Sequence, residues 1–314
     1  MPSTIRILSA FLLFATAFAV CADASASNTN STGSKKLQTA DGYTWVYDYY
    51  PARNTSKPTL LLLHGVPDTH NGWRHQIPVL LNAGYGVLAP DILGFGETSA
   101  PADLEAYNFK DITSDIIELL DAEDVQTAIG VGHDLGTTIL SRLALYYPGR
   151  FTKLAFLSVG YDAPGTSFDI DAINAGDWPV LGYTRFGYWY FFNSYDGAQW
   201  LSESEKAAWL QSFDDPRTIA GALNHYKARL RGVQAADEAH VTDEERALKV
   251  PVLTVGGERD MVSLADTVVA GTKPWATAGY VEKAVDAGHW VTLETAREIG
   301  DILLVFADPD AVFS

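Results

Sequence analysis

The sequence predicts an α/β fold: a mostly parallel sheet flanked by helices, with a helical cap inserted into it. Two patterns carry that expectation. Short apolar runs alternate with segments of helical spacing over residues 37–160 and again over 248–314, the mark of strands joined by crossover helices. Over 161–247 the alternation fails and the chain turns helix-like, with nine aromatic residues between Tyr183 and Trp200. A surface helix cannot hide so many without a second surface to face. The segment therefore reads as a cap over the carboxyl edge of the sheet, where open α/β sheets bind ligands.

The elements follow in chain order. Arg6 precedes an apolar run from Ile7 to Val20, and small residues follow in Ala17-Phe18-Ala19 and Ala22-Asp23-Ala24. This predicts a secretory signal peptide over 1–22 and a secreted protein, with a signal-anchored form as the alternative and no stable membrane span in the mature chain. The sole cysteine, Cys21, sits at that junction, so no intrachain disulfide can form. Residues 23–36 are rich in Ser, Thr, Asn and Ala and predict a disordered linker. Asn30-Ser31-Thr32 and Asn54-Thr55-Ser56 are N-glycosylation sequons, triplets that also arise by chance.

Strands are expected in YTWVYDYY (43–50), TLLLLHG (59–65) and GYGVLAPD (84–91), the last broken by Pro90. The run of leucines suits a strand buried on both faces. Between the last two, GWRHQIPVLLNAG (72–84) has helical spacing and ends in glycine. FKDITSDIIELLDAED (109–124) repeats Ile112, Ile116, Leu119 and Leu120 on one helix face. AIGVGH, GTTILSRLALYYP and FTKLAFLSV read as strand, helix and strand; VPVLTVGGERD and GYVEKAVDAGHW are two more strand-loop units, and LETAREIGDILLVFAD closes the chain as a helix.

Apolar residues at 47% and charged ones at 19% describe a folded chain. The net charge of -17 excludes a polyanion partner, because nucleic-acid binding needs a basic surface. No pair of histidines has metal-ligand spacing with acidic partners, so neither metal nor cofactor is expected.

The chemistry concentrates at GVGHDLGTT, a tight strand-to-helix turn with Asp134 at its apex and Gly132 and Gly136 on either side. A helix starting behind Asp134 stabilises its negative charge. The alternative is a plain N-cap aspartate. A nucleophilic carboxylate attacks saturated carbon and becomes an ester. Freeing it takes a base and an oxyanion site. His289 in DAGHWV is the candidate base, and Asp260 in GGERDMV the acid that orients it; each follows a predicted strand. The turn His64-Gly65-Val66-Pro67 after the leucine strand, with Pro67 in either isomer, aims the backbone N–H of Val66, together with that of Leu135, at the oxyanion.

These motifs resemble the soluble epoxide hydrolases of the α/β-hydrolase superfamily, particularly the fungal members, over roughly Leu37 to the C-terminus. The family's motifs correspond to His64-Gly65-Val66-Pro67, Gly94-Phe95-Gly96-Glu97-Thr98, Gly132-His133-Asp134-Leu135-Gly136, Glu258-Arg259-Asp260 and Gly288-His289-Trp290. The resemblance implies two cap tyrosines bonded to the epoxide oxygen: Tyr188 in RFGYWYFF, with Tyr190 and Tyr195 as competitors, and Tyr226 in LNHYKARL. It places His64, Pro67, Trp73 and Trp290 beside the substrate, although the two tryptophans equally suit a core. The expected reaction converts an apolar or aryl epoxide and water to a vicinal diol in a monomer or homodimer. Leu135 departs from the tryptophan usual there. Haloalkane or haloacid dehalogenases share the aspartate nucleophile and are the alternative enzyme; a specialised biosynthetic epoxide opener and a non-catalytic ligand-binding protein on the same fold are further alternatives.

Overall fold

A computed structural model describes residues 33–166, 169–182, 184–186 and 216–311. An eight-stranded sheet runs through them: β1 (Ser34–Gln38), β2 (Thr44–Tyr50), β3 (Thr59–Leu63), β4 (Gly86–Pro90), β5 (Ala128–His133), β6 (Phe151–Leu157), β7 (Val252–Gly257) and β8 (Tyr280–Val285). Their order in space is β1-β2-β4-β3-β5-β6-β7-β8. β2 runs antiparallel to both β1 and β4, and the other neighbours are parallel.

Each strand of the sheet interior faces two layers. Leu61 and Leu63 point to one side, packed with α2 (Phe109–Ala122) and α3 (Leu135–Tyr146). Leu60 and Leu62 point to the other, packed with α1 (Gln76–Asn82) and α7 (Ala296–Ala307). This alternation is why β3 reads as an unbroken leucine run. The helix face expected from spacing, Ile112, Ile116, Leu119 and Leu120, is buried on α2, whose N-cap Asn108 accepts the Lys110 N–H.

Several boundaries differ from the sequence expectation. Residues 34–36, placed in a disordered linker, lie in β1, where Lys35 pairs with Tyr47 and Lys36 with Val46. Backbone pairing to β2 needs no apolar side chains, and lysines at an edge discourage further strands from joining. The helix expected over 72–84 divides into a 3-10 turn at His70–Trp73 and α1, and the closing helix into a single turn at Val291–Glu294 and α7. Pro90 is the last residue of β4 and pairs with Tyr47.

Between β6 and β7 the described residues form helices and loops, not strands. They include α4 (Ile170–Leu181), α5 (Pro216–Leu230) and single turns at Ala235–Glu238 and Asp243–Arg246. The final long element before β8 is α6 (Ala265–Thr272). Helix α5 lies so close to the loop after β4 that a Cβ on Gly221 would strike the backbone of Gly94. The signal sequence, Cys21 and the sequon at Asn30 lie outside the described residues, as do Tyr188, Tyr190 and Tyr195. No helix among the described residues is long and apolar enough to cross a membrane.

Candidate active site

Three strand ends converge on one point. β5 stops at His133, and Asp134 turns the chain into α3 with φ 50° and ψ −118°. A positive φ in a non-glycine residue costs of the order of 1–3 kcal/mol, so the surroundings must enforce it. Thr137 donates its N–H (2.9 Å) and its hydroxyl (2.7 Å) to the Asp134 carbonyl. Neighbouring backbones also crowd in. A Cβ on Gly65 would strike the Asp134 side chain, and one on Gly136 the Leu63 carbonyl. That crowding is what the glycines around Asp134 accommodate.

The Asp134 side chain does not cap α3. Its Oδ1 accepts the Val66 N–H at 2.8 Å, and its Oδ2 lies 3.2 Å from His289 Nε2. On the far side of the ring, His289 Nδ1 is 2.7 Å from Asp260 Oδ2. Asp260 is itself fixed, since its Oδ1 accepts the N–H groups of Val262 (2.7 Å) and Ser263 (2.9 Å). Leu135 opens α3, where a first-turn N–H has no partner within the helix. The groups named from sequence as nucleophile, acid and base thus form one hydrogen-bonded line.

Electrostatics set their protonation. Burial alone would lower the His289 pKa; the carboxylates of Asp260 and Asp134 outweigh it and raise it to about 10. Burial alone would raise Asp134, but the bond to His289 and the charge on that ring hold it below the usual carboxylate range. At neutral pH the resting site is therefore an imidazolium held between two carboxylates.

Asp134 opens onto a cavity of about 440 Å³. Val66, Phe109, Leu135, Ile173, Phe186 and Val268 supply apolar wall, and Tyr226, buried on α5, lines the same cavity. Asp162 and Arg229 form a polar part of the wall. Arg229 grips both oxygens of Asp162, and Arg142 reaches Asp162 Oδ2 while pairing with Glu238 at 2.8 and 3.0 Å.

The other four expected pocket residues stand elsewhere. Trp73 is buried with Leu60 and Leu62 in the core layer facing α1 and α7, so it packs the fold and does not line the cavity. His64 is a buried pin: Nε2 accepts the Ile92 N–H and Nδ1 donates to the Gly65 carbonyl, each at 2.9 Å. Burial lowers its pKa to about 4, which keeps it neutral. Pro67 follows a cis peptide bond and is not among the cavity-lining residues. Trp290, half-buried, stands perpendicular to the His289 ring with centroids 5.3 Å apart and is not among the cavity-lining residues. No group of three or more His, Cys, Asp and Glu among the described residues is arranged to hold a metal ion.

Two residues escaped the sequence reading. His133 and Ser158 both donate to the His289 carbonyl, at 2.9 and 2.6 Å. The only local signal was their place at the ends of adjacent strands.

Comparison with known proteins identifies the family of the chain. The sequence profile of the alpha/beta hydrolase fold family matches residues 58–296. The chain is 26% identical over 302 residues to bifunctional epoxide hydrolase 2 of Sus scrofa, covering 82% of this chain and 52% of that protein. It is 43% identical over 102 residues to epoxide hydrolase A of Mycobacterium tuberculosis, covering 32% of each. The chain thus spans about half the length of the pig relative. Among solved structures, epoxide hydrolase A from Mycobacterium thermoresistibile superposes with a TM-score of 0.67 at 25% identity, covering 90% of this chain and 99% of that one.

Proposed function

Because the chain belongs to the alpha/beta hydrolase fold family, we propose that it is an epoxide hydrolase working through an ester on Asp134. The names of the pig and mycobacterial relatives support the activity. The observation that carries the mechanism is the division of labour on one carboxylate. Oδ1 is held by the Val66 N–H, Oδ2 lies against His289, and the residue that carries both lines the cavity.

Oδ2 attacks a ring carbon of the epoxide, the carbon–oxygen bond breaks, and its electron pair goes to the epoxide oxygen. That oxygen takes a proton from the phenols of Tyr226 and, by the family resemblance, Tyr188. Esterification removes the Asp134 charge, one of the two attractions that keep His289 protonated. The imidazolium then returns a proton to the phenolate and becomes a base. It takes a proton from water, and the hydroxide adds to the Asp134 carboxyl carbon. Negative charge falls on Oδ1, against the N–H groups of Val66 and Leu135. Collapse expels the second alcohol oxygen, which takes the proton from His289. The new carboxylic acid passes its own proton back to the ring, and the resting ion pair is restored.

The mainly apolar wall favours an apolar or aryl epoxide, with a vicinal diol as product. A single turnover in oxygen-18 water should deliver the label into the peptide carrying Asp134. An unlabelled Asp134 with labelled diol sinks the ester mechanism, and halide release from alkyl chlorides without diol formation makes the protein a dehalogenase. The N-terminal sequence supports export; recovery of the protein from culture medium, beginning near residue 23, is the corresponding test.

A further inference from the structure

His289 is restrained through its main chain as well as its ring. Its carbonyl oxygen receives the His133 Nε2–H at 2.9 Å and the Ser158 hydroxyl at 2.6 Å. A carbonyl only accepts, so the single proton of neutral His133 is on Nε2. Burial, then the neighbouring His289 charge, lowers the His133 pKa and keeps that ring neutral. Both donors are buried. His133 ends β5 opposite Leu157 of β6, and Ser158 is the next residue, its N–H bonded to Val255 of β7 at 2.8 Å. Ser158 has φ 63°, a left-handed conformation that glycine adopts at less cost. A serine there buys its hydroxyl bond at the expense of backbone strain. The ends of β5 and β6 are in this way stitched to the loop after β8 at one oxygen atom, and Ser158 is tied to β7 through the Val255 carbonyl.

We propose that Ser158, supported by His133, is a positioning residue that orients His289 for hydrolysis of the ester. The inference rests on the covalent reading above. In the resting site the charge of Asp134 holds the ring from the front. Once that carboxylate is esterified its attraction is gone, and the ring must aim at water held by the bond to Asp260, by packing against the rings of Trp290 and His133, and by its own backbone. The carbonyl anchor therefore matters after the ester has formed and little before.

Rapid quench of Ser158→Ala, with mass analysis of the intact protein, separates the two steps. Ester formation should keep its wild-type rate, while ester decay slows about five- to tenfold, the worth of one buried hydrogen bond. In the steady state kcat and KM should fall together wherever decay is rate-limiting, leaving kcat/KM unchanged. A merely structural role would lower the active fraction and so reduce kcat/KM. Ser158→Gly keeps the left-handed φ without a Cβ and tests the hydroxyl alone should alanine unsettle the fold. Equal slowing of both steps, or wild-type decay in both variants, overturns the proposal. His289→Gln serves as the control: if it accumulates no ester, the covalent reading itself fails; if it does while the Ser158 variants decay normally, only the positioning role fails.

Discussion

His289 ties the stability of the fold to pH. Burial pulls its pKa down, but the two carboxylates win and set it at about 10, above the value of about 6.5 for an unfolded histidine. The folded state thus binds the proton more tightly. The stabilisation this gives is fully present below about pH 6.5 and is lost as pH rises through 10. Asp134 has the opposite sign: its depressed pKa contributes stability above the carboxylate range, lost on acidification. The melting temperature should therefore decline from pH 7 to pH 10, and His289→Gln should flatten that decline. Asp134→Asn keeps the shape of the site and removes its charge. Turnover should fall by about 10⁴-fold or more, measured as diol formation, and the His289 resonance should titrate at lower pH. Asp134, Asp260 and His289 were legible because each follows a predicted strand and the glycines around Asp134 announce a cramped turn. Trp73 was left between pocket and core because a tryptophan near the His64–Pro67 turn suits either side of the sheet, and spacing does not say which; it lies in the core. His133 and Ser158 act through a backbone oxygen on a distant loop, a contact that leaves no sequence pattern.

β3 shows what burial on both faces costs to disturb. Leu62 is fully buried between the sheet and the layer of α1 and α7. Leu62→Ala should destabilise by about 3 kcal/mol, within the usual range for a buried leucine, read as a lower urea midpoint with an unchanged slope. The apolar strands and the α2 face were readable because periodicity reports burial directly. β1 was not, because its lysines look like linker while β2 supplies the pairing. The helices flanking β3 and β8 were found but not their divisions, since a short 3-10 turn and an α-helix share nearly the same apolar spacing.

Across the whole molecule, an ion network ties α5 to the core. Arg142 on α3, Asp162 after β6, Arg229 on α5 and Glu238 beyond it join residues far apart in sequence, so no motif revealed them. Burial would raise the Asp162 carboxyl, but the guanidinium groups of Arg142 and Arg229 hold it far below the usual carboxylate range. Removing that charge takes one ionic contact from each of two largely buried guanidinium groups, Arg142 and Arg229. Asp162→Asn should cost about 3–5 kcal/mol, seen as a lowered melting temperature, and raise susceptibility to proteolysis around α5. The order of the sheet has one further practical result. The chain joins the sheet through β1, its outermost strand, four strands from the β5 that leads into Asp134, or about 19 Å at the usual spacing. A resin linkage or fluorescent fusion placed ahead of Gly33 would hang from the rim opposite β8, and the immobilised protein should keep the cavity at Asp134 open to dissolved molecules.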